Sequence, residues 1–96
     1  MSLEHLIREG GTDIGHGVKI FATSYNGQVA GIIEEHDDKD GQRCSGYVRF
    51  RLPINDLSTG SSWVVESEEP LTLSPSVLCR TCGHHGYIRD GKWVPA

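Results

Sequence analysis

Cys79-Arg80-Thr81-Cys82-Gly83-His84-His85 brings two thiols and two imidazoles into one short stretch, and these are donors suited to metal or redox chemistry. Two cysteines three apart can turn both sulfurs into one tetrahedral site if the chain reverses after the second. Gly83 permits that reversal, and backbone N–H groups in such a turn stabilise thiolate. The pattern is that of a zinc knuckle. A complete site needs four donors, and the remaining cysteine is Cys44. The expected set is therefore Cys44, Cys79, Cys82 and one of the two adjacent histidines, which face opposite sides of an extended chain. His84 shares the parity of Cys82 and is favoured over His85. Zinc suits a mixture of thiolate and imidazole: four protein donors make a structural site, and three plus water a catalytic one. Two other readings stand beside it, a pair of buried thiols and a redox pair. The redox reading wants a βαβ context that this chain lacks.

Ser76 precedes His85 by nine residues. A hydroxyl beside an imidazole is the minimum arrangement of a nucleophile and its base. Pro75 would fix the backbone ahead of Ser76, and Glu66, Glu68, Glu69 or Asp90 could orient the imidazole. The alternative is that Ser74 and Ser76 are turn residues flanking a proline.

The elements that must position these groups read as strands. Val18 to Tyr25, then Asn26-Gly27, then Gln28 to Ile33 is a hairpin signal with a type I′ turn. Tyr47 to Leu52 alternates, with Val48, Phe50 and Leu52 on one face and Tyr47, Arg49 and Arg51 on the other, the second face being the exposed one available to a partner. Trp63 to Glu66 is a further strand, and Trp63 and Trp93 read as core or edge packing. Leu71 to Leu78 is apolar but interrupted by Pro75, which places it at an edge or a bend. Gly86 to Arg89, Asp90-Gly91 and Lys92 to Val94 form a last hairpin. Glu34 to Arg43 is charged and glycine-punctuated and reads as an exposed loop, with His36, like His5 and His16, solvated. The acidic run from His36 to Gly41 fails as a calcium loop, because His36 and Tyr47 occupy ligand positions. Gly10 to Gly17 reads as a flexible linker, with no Gly-Lys-Ser/Thr to make a phosphate loop. Leu3, Leu6 and Ile7 behind Ser2 have the spacing of one short helix or a frayed tail. The expected fold is mainly β: a small antiparallel sheet, sandwich or open barrel of five to six short strands, in a single domain over 1–96 with residues 1–17 as a flexible segment.

Composition narrows the function. A chain of 96 residues with 36% hydrophobic and 7% aromatic residues has a thin core and gains from a staple. Three cysteines cannot all pair within the chain, and no signal-peptide pattern is read, so reduced thiols in a cytoplasmic setting are expected. A metal, an oligomeric interface or close packing would supply the missing stability. The net charge of −4 offers no footprint for nucleic acid, and no apolar run approaches the length that crosses a bilayer.

Pro70-Leu-Thr-Leu-Ser-Pro-Ser-Val77, followed by His85-Gly-Tyr-Ile-Arg-Asp-Gly-Lys92, resembles a family of small phage and prophage proteins. That family is similar to the BubE component of bacterial ubiquitin-like conjugation operons. Its members carry a Pro-Thr-Leu-Ser-Pro-Ser-Ile block, a Cys/His pair leading into a Phe-Ile-x-x-Gly hairpin, and often an upstream Cys-Pro-Gly-Cys. Here Cys44-Ser45-Gly46-Tyr47 retains the first cysteine of that last element, and the first 40 residues carry none of the pattern. A label of ammonia monooxygenase attached to some members does not suit a chain without a membrane span or a copper-type histidine cluster. The resemblance implies peptidase or hydrolase activity on ubiquitin-like proteins, with Ser76 as nucleophile and His85 as base.

The leading expectation is thus a zinc-binding β-domain of phage or prophage type that contacts a protein partner, without nucleic acid or membrane. The alternatives are a Ser76/His85 hydrolase with zinc held by Cys79, Cys82, His84 and Cys44, and a zinc-water hydrolase with a base among Glu66 to Glu69. A Ser76 Oγ within about 3.5 Å of a His85 ring nitrogen would favour the hydrolase.

Overall fold

Alternation of inward apolar and outward polar residues sets the first sheet. The computed structural model describes residues 11–25, 27–51, 62–68 and 70–96, and all the regular structure among them is strand. Strands β1 (Thr12–Gly15), β2 (Val18–Tyr25), β3 (Gln28–Asp37) and β4 (Arg43–Arg49) form an antiparallel sheet in chain order. The β2–β3 register runs from Lys19↔Glu35 to Tyr25↔Gln28, with an irregularity between Thr23 and Ser24. That closes the hairpin over a two-residue loop in which Gly27 has φ 77°, while Asn26 lies outside the described residues.

Two expectations for this region are corrected. Thr12 to Gly15, read as linker, pairs with β2 and buries Ile14. Glu34 to Asp37, read as the start of an exposed loop, continues β3. Ile32, Glu34 and His36 occupy successive inward positions and are all buried, while Ile33 and Asp37 face out. The period of two was present, but its inward positions carry polar side chains, so composition disguised it.

A two-stranded unit of β5 (Val64–Glu68) and β6 (Leu71–Ser74) follows, then a three-stranded sheet of β7 (Val77–Leu78), β8 (His85–Arg89) and β9 (Lys92–Pro95). Pro75 lies in the break between β6 and β7, after a cis Ser74–Pro75 bond. The β8–β9 turn is Asp90-Gly91, with both φ values positive (51° and 73°), as a type I′ turn requires. Trp63 joins the first sheet to the rest through backbone bonds with Arg49 and Arg51 on either side of Phe50. β6 lies against β8 and is tied to the last turn, where Gly91 N–H donates to the Leu71 carbonyl (2.8 Å).

One core serves all three sheets: Ile20, Ile32, Val48 and Phe50 from the first, Leu73 from the second, Ile88 and Trp93 from the third. Each such side chain stabilises the fold by roughly 1.5–3 kcal/mol when fully buried. The mainly β, antiparallel expectation holds and the sheets do not close into a barrel. The nine strands among the described residues exceed the five or six expected, in part because β1 lies in the segment read as linker and Pro75 splits one apolar run into β6 and β7. The N-terminal helix reading and Leu52 fall outside the described residues. No helix among the described residues is long and apolar enough to cross a membrane.

Candidate functional site

β3 and β4 pair His36 directly with Cys44, placing an imidazole and a thiol side by side at one end of the first sheet. The β7–β8 connection delivers the other two thiols to the same point. Gly83 has φ 81° and donates its N–H to the Cys79 carbonyl (2.8 Å), and Cys79 N–H donates to the His84 carbonyl (2.7 Å), so the turn closes as a knuckle. The donor atoms of His36, Cys44, Cys79 and Cys82 all lie within 4.8 Å of one another, a His/Cys cluster that could hold a metal ion. His36 Nε2 is 3.1 Å from Cys82 Sγ. Among the four residues expected to hold metal, Cys44, Cys79 and Cys82 are thus brought together, and the imidazole beside them is that of His36.

The thiols are unequal. Burial works to raise the Cys79 thiol, yet hydrogen bonds from the Cys82 and Thr81 backbone, with those of Cys82 and His36 side chains, outweigh it and bring it down to about 7. Burial pushes Cys44 up to about 11, helped by its hydrogen bond to Cys82 and by the neighbouring thiolates. Near neutrality Cys79 therefore ionises more readily than Cys44.

Behind His36 stands a second polar group. Glu34 Oε1 is 2.6 Å from His36 Nδ1, with both side chains buried. Burial holds the Glu34 carboxyl above the ordinary carboxylate range in spite of that imidazole. With a metal at the thiols, donation of Nδ1–H to Glu34 would leave the Nε2 lone pair of His36 free to ligate it, the tautomer a metal ligand needs. His84 stacks on His36 with ring centroids 4.0 Å apart, and Trp93 stacks on the other face of His84 at 4.8 Å. His84 Nδ1 is buried without a hydrogen bond, 3.9 Å from Glu34 Oε1. Burial, reinforced by His36, keeps the His84 imidazole neutral by lowering its pKa. His84 also belongs to a second possible donor group, with Glu34 and His36.

Ser76 and His85 meet on the other side of the same connection. Leu78 pairs with His85 across β7 and β8, which sets Ser76 Oγ 2.8 Å from His85 Nε2 at an exposed position. Trp63 Nε1–H donates to the Ser76 carbonyl (3.2 Å) and fixes the peptide plane after the serine. A cleft of about 210 Å³ opens beside it, lined by Ser62, Trp63, Pro75, Ser76, Leu78 and Arg80. Among the described residues no carboxylate, Glu66, Glu68 and Asp90 included, hydrogen-bonds the His85 ring; Glu69 lies outside them.

The family model for the bacterial ubiquitination-like system serine protease (BubE) matches residues 27–96. The chain belongs to the BubE family. No curated protein and no solved structure matches it. Within the matched region, Ser76 is the serine hydrogen-bonded to a histidine side chain among the described residues. The BubE match begins at Gly27 and so takes in Glu34, His36 and Cys44 as well as the C-terminal motif.

Sequence reasoning missed His36, Glu34 and the positioning part played by Trp63. His36 is separated from Cys82 by 46 positions, and register alone brings it there. The one available signal was the alternation Ile32, Glu34, His36 carried past the apolar part of the strand.

Proposed function

We propose that this chain is a serine-type peptidase acting on ubiquitin-like proteins, with Ser76 as nucleophile and His85 as general base. The observation that carries it is the 2.8 Å contact between Ser76 Oγ and His85 Nε2 in an open position beside a cleft. With the imidazole neutral and its proton on Nδ1, the Ser76 hydroxyl donates to Nε2. As Oγ attacks the acyl carbon, Nε2 takes that proton; His85 then returns it to the leaving amine, and an acyl ester remains on Ser76. Water, deprotonated by the same imidazole, cleaves the ester and restores the hydroxyl.

The donor chemistry of His36, Cys44, Cys79 and Cys82 fits zinc: three thiols, one imidazole with its tautomer set by a carboxylate, and a knuckle whose N–H groups favour thiolate. Zinc bound there would supply a structural crosslink between the β3–β4 hairpin and the β7–β8 connection. Four protein donors leave no coordination position for an activated water, which argues against a zinc-water hydrolase. His84 supports His36 through stacking in this arrangement.

The test is covalent. A fluorophosphonate probe should form a stable adduct on Ser76, identified by peptide mass spectrometry, in the wild type and not in Ser76→Ala. A wild-type protein with its fold intact that stays unlabelled at Ser76 removes the peptidase reading.

A further inference from the structure

The cleft next to Ser76 has a composition that selects. Its apolar walls are Trp63, Pro75 and Leu78, and among the described residues the one charged side chain lining it is that of Arg80. Among the described residues Arg43 pairs with Glu35 and Asp37, and Arg89 lies over the Tyr87 ring. Arg80 has no hydrogen bond or ion pair among the described residues. Its place in the knuckle, directly after Cys79, anchors the backbone that carries it. A guanidinium binds a carboxylate through two parallel hydrogen bonds, and an apolar wall beside it suits the methylene stem of an acidic side chain. A volume of about 210 Å³ admits one side chain of that size.

Resting on the peptidase reading, we infer that this cleft receives the side chain of the substrate residue that contributes the acyl carbon, and that Arg80 selects an acidic residue there. The charge at the mouth of a specificity pocket determines which residue is accepted, as a buried aspartate does for basic residues in trypsin. Arg80 acts on recognition and takes no part in proton transfer.

Two measurements test it together. The first compares kcat/KM for the p-nitrophenyl esters of N-acetyl-glutamate, N-acetyl-glutamine and N-acetyl-lysine. The wild type should prefer glutamate over glutamine roughly tenfold; Arg80→Lys should keep part of that preference, Arg80→Gln should abolish it, and Arg80→Glu should turn it toward lysine. The second follows the Trp63 indole N–H resonance of the Ser76→Ala protein during titration with N-acetyl-glutamate. A saturable shift that disappears in Arg80→Gln supports the pocket even if no ester is cleaved, an outcome that would instead sink the peptidase reading. Hydrolysis with equal rates for the three esters, or an indole resonance indifferent to the glutamate probe, overturns the pocket and leaves the peptidase standing. Loss of bound metal in Arg80→Gln and Arg80→Lys alike also overturns it, since Arg80 would then serve the thiolates.

Discussion

Glu34 Oε1 lies 2.6 Å from His36 Nδ1, a carboxyl–imidazole pair at one end of the first sheet with both side chains almost free of solvent. Such a pair orients the ring and raises the basicity of the opposite nitrogen, and its loss ordinarily weakens a metal site 10–100-fold. Glu34→Gln should therefore lower zinc affinity by about that factor, measured by competition with a chromophoric chelator. Unchanged affinity would show that the carboxylate does not act on the ligand.

Metal removal should loosen the whole C-terminal half. Purified protein is expected to carry about one zinc per chain, as a structural site does. Chelation, or His36→Ala, should lower the melting temperature by about 10 °C or more. The same treatment should slow fluorophosphonate labelling of Ser76, because the knuckle is the turn that holds β7 against β8. A metal-free protein with an unaltered melt would dismiss the crosslink.

His85 is exposed, and among the described residues its ring meets Ser76 and, at 6.4 Å between ring centroids, Tyr87. Replacing it should spare the fold and cost the chemistry. His85→Gln is expected to reduce ester hydrolysis at least about 100-fold, with stability within about 0.5 kcal/mol of wild type. Steady-state kinetics beside a thermal melt would separate the two effects, and a fully active His85→Gln protein would exclude the imidazole as base.

The metal-stripped protein should reveal the inequality of its thiols. Cys79, drawn down to about 7, gains thiolate as pH rises through neutrality, whereas Cys44, pushed up to about 11, stays protonated throughout that range. Since the thiolate is the nucleophile, iodoacetamide at pH 7–8 should modify Cys79 well before Cys44. Time-resolved mass mapping that finds Cys44 first would contradict the hydrogen-bond pattern of the knuckle.

Gly86 lies on β8 where an added Cβ would come within 2.5 Å of the Trp93 ring. Trp93 is 3% exposed and stacked on His84, so it has little room to yield. Gly86→Ala should cost about 1–3 kcal/mol, seen as a melting temperature lower by about 4 °C or more. A neutral substitution would show that the indole can shift without disturbing the histidines beneath it.

Much of this arrangement was legible before folding was considered. The Asp90-Gly91 hairpin, the inward Val48 and Phe50, the break at Pro75 and the knuckle at Cys79–Cys82 all follow from local chemistry, because each depends on neighbours a few positions away. The closeness of Ser76 to His85 was readable as a possibility, since nine residues containing a tight reversal can bring a strand back beside itself. His36 was not readable in the same way. It owes its position to the pairing of β3 with β4, and its charged surroundings argue for a loop when taken residue by residue. Polar side chains on the buried face of a strand defeat a hydrophobicity pattern because a ligand or a buried ion pair, not the core, is what they face.

The ten residues from Ser76 to His85 hold the proposed nucleophile and base and two of the four clustered donors, while the other two donors come from the β3–β4 hairpin far upstream. An insertion or deletion inside that decapeptide would displace catalysis and crosslink in a single event, so length variation in related chains is expected to fall elsewhere. The decapeptide also could not be transplanted alone: a recipient scaffold would have to offer a histidine and a cysteine facing each other across two antiparallel strands.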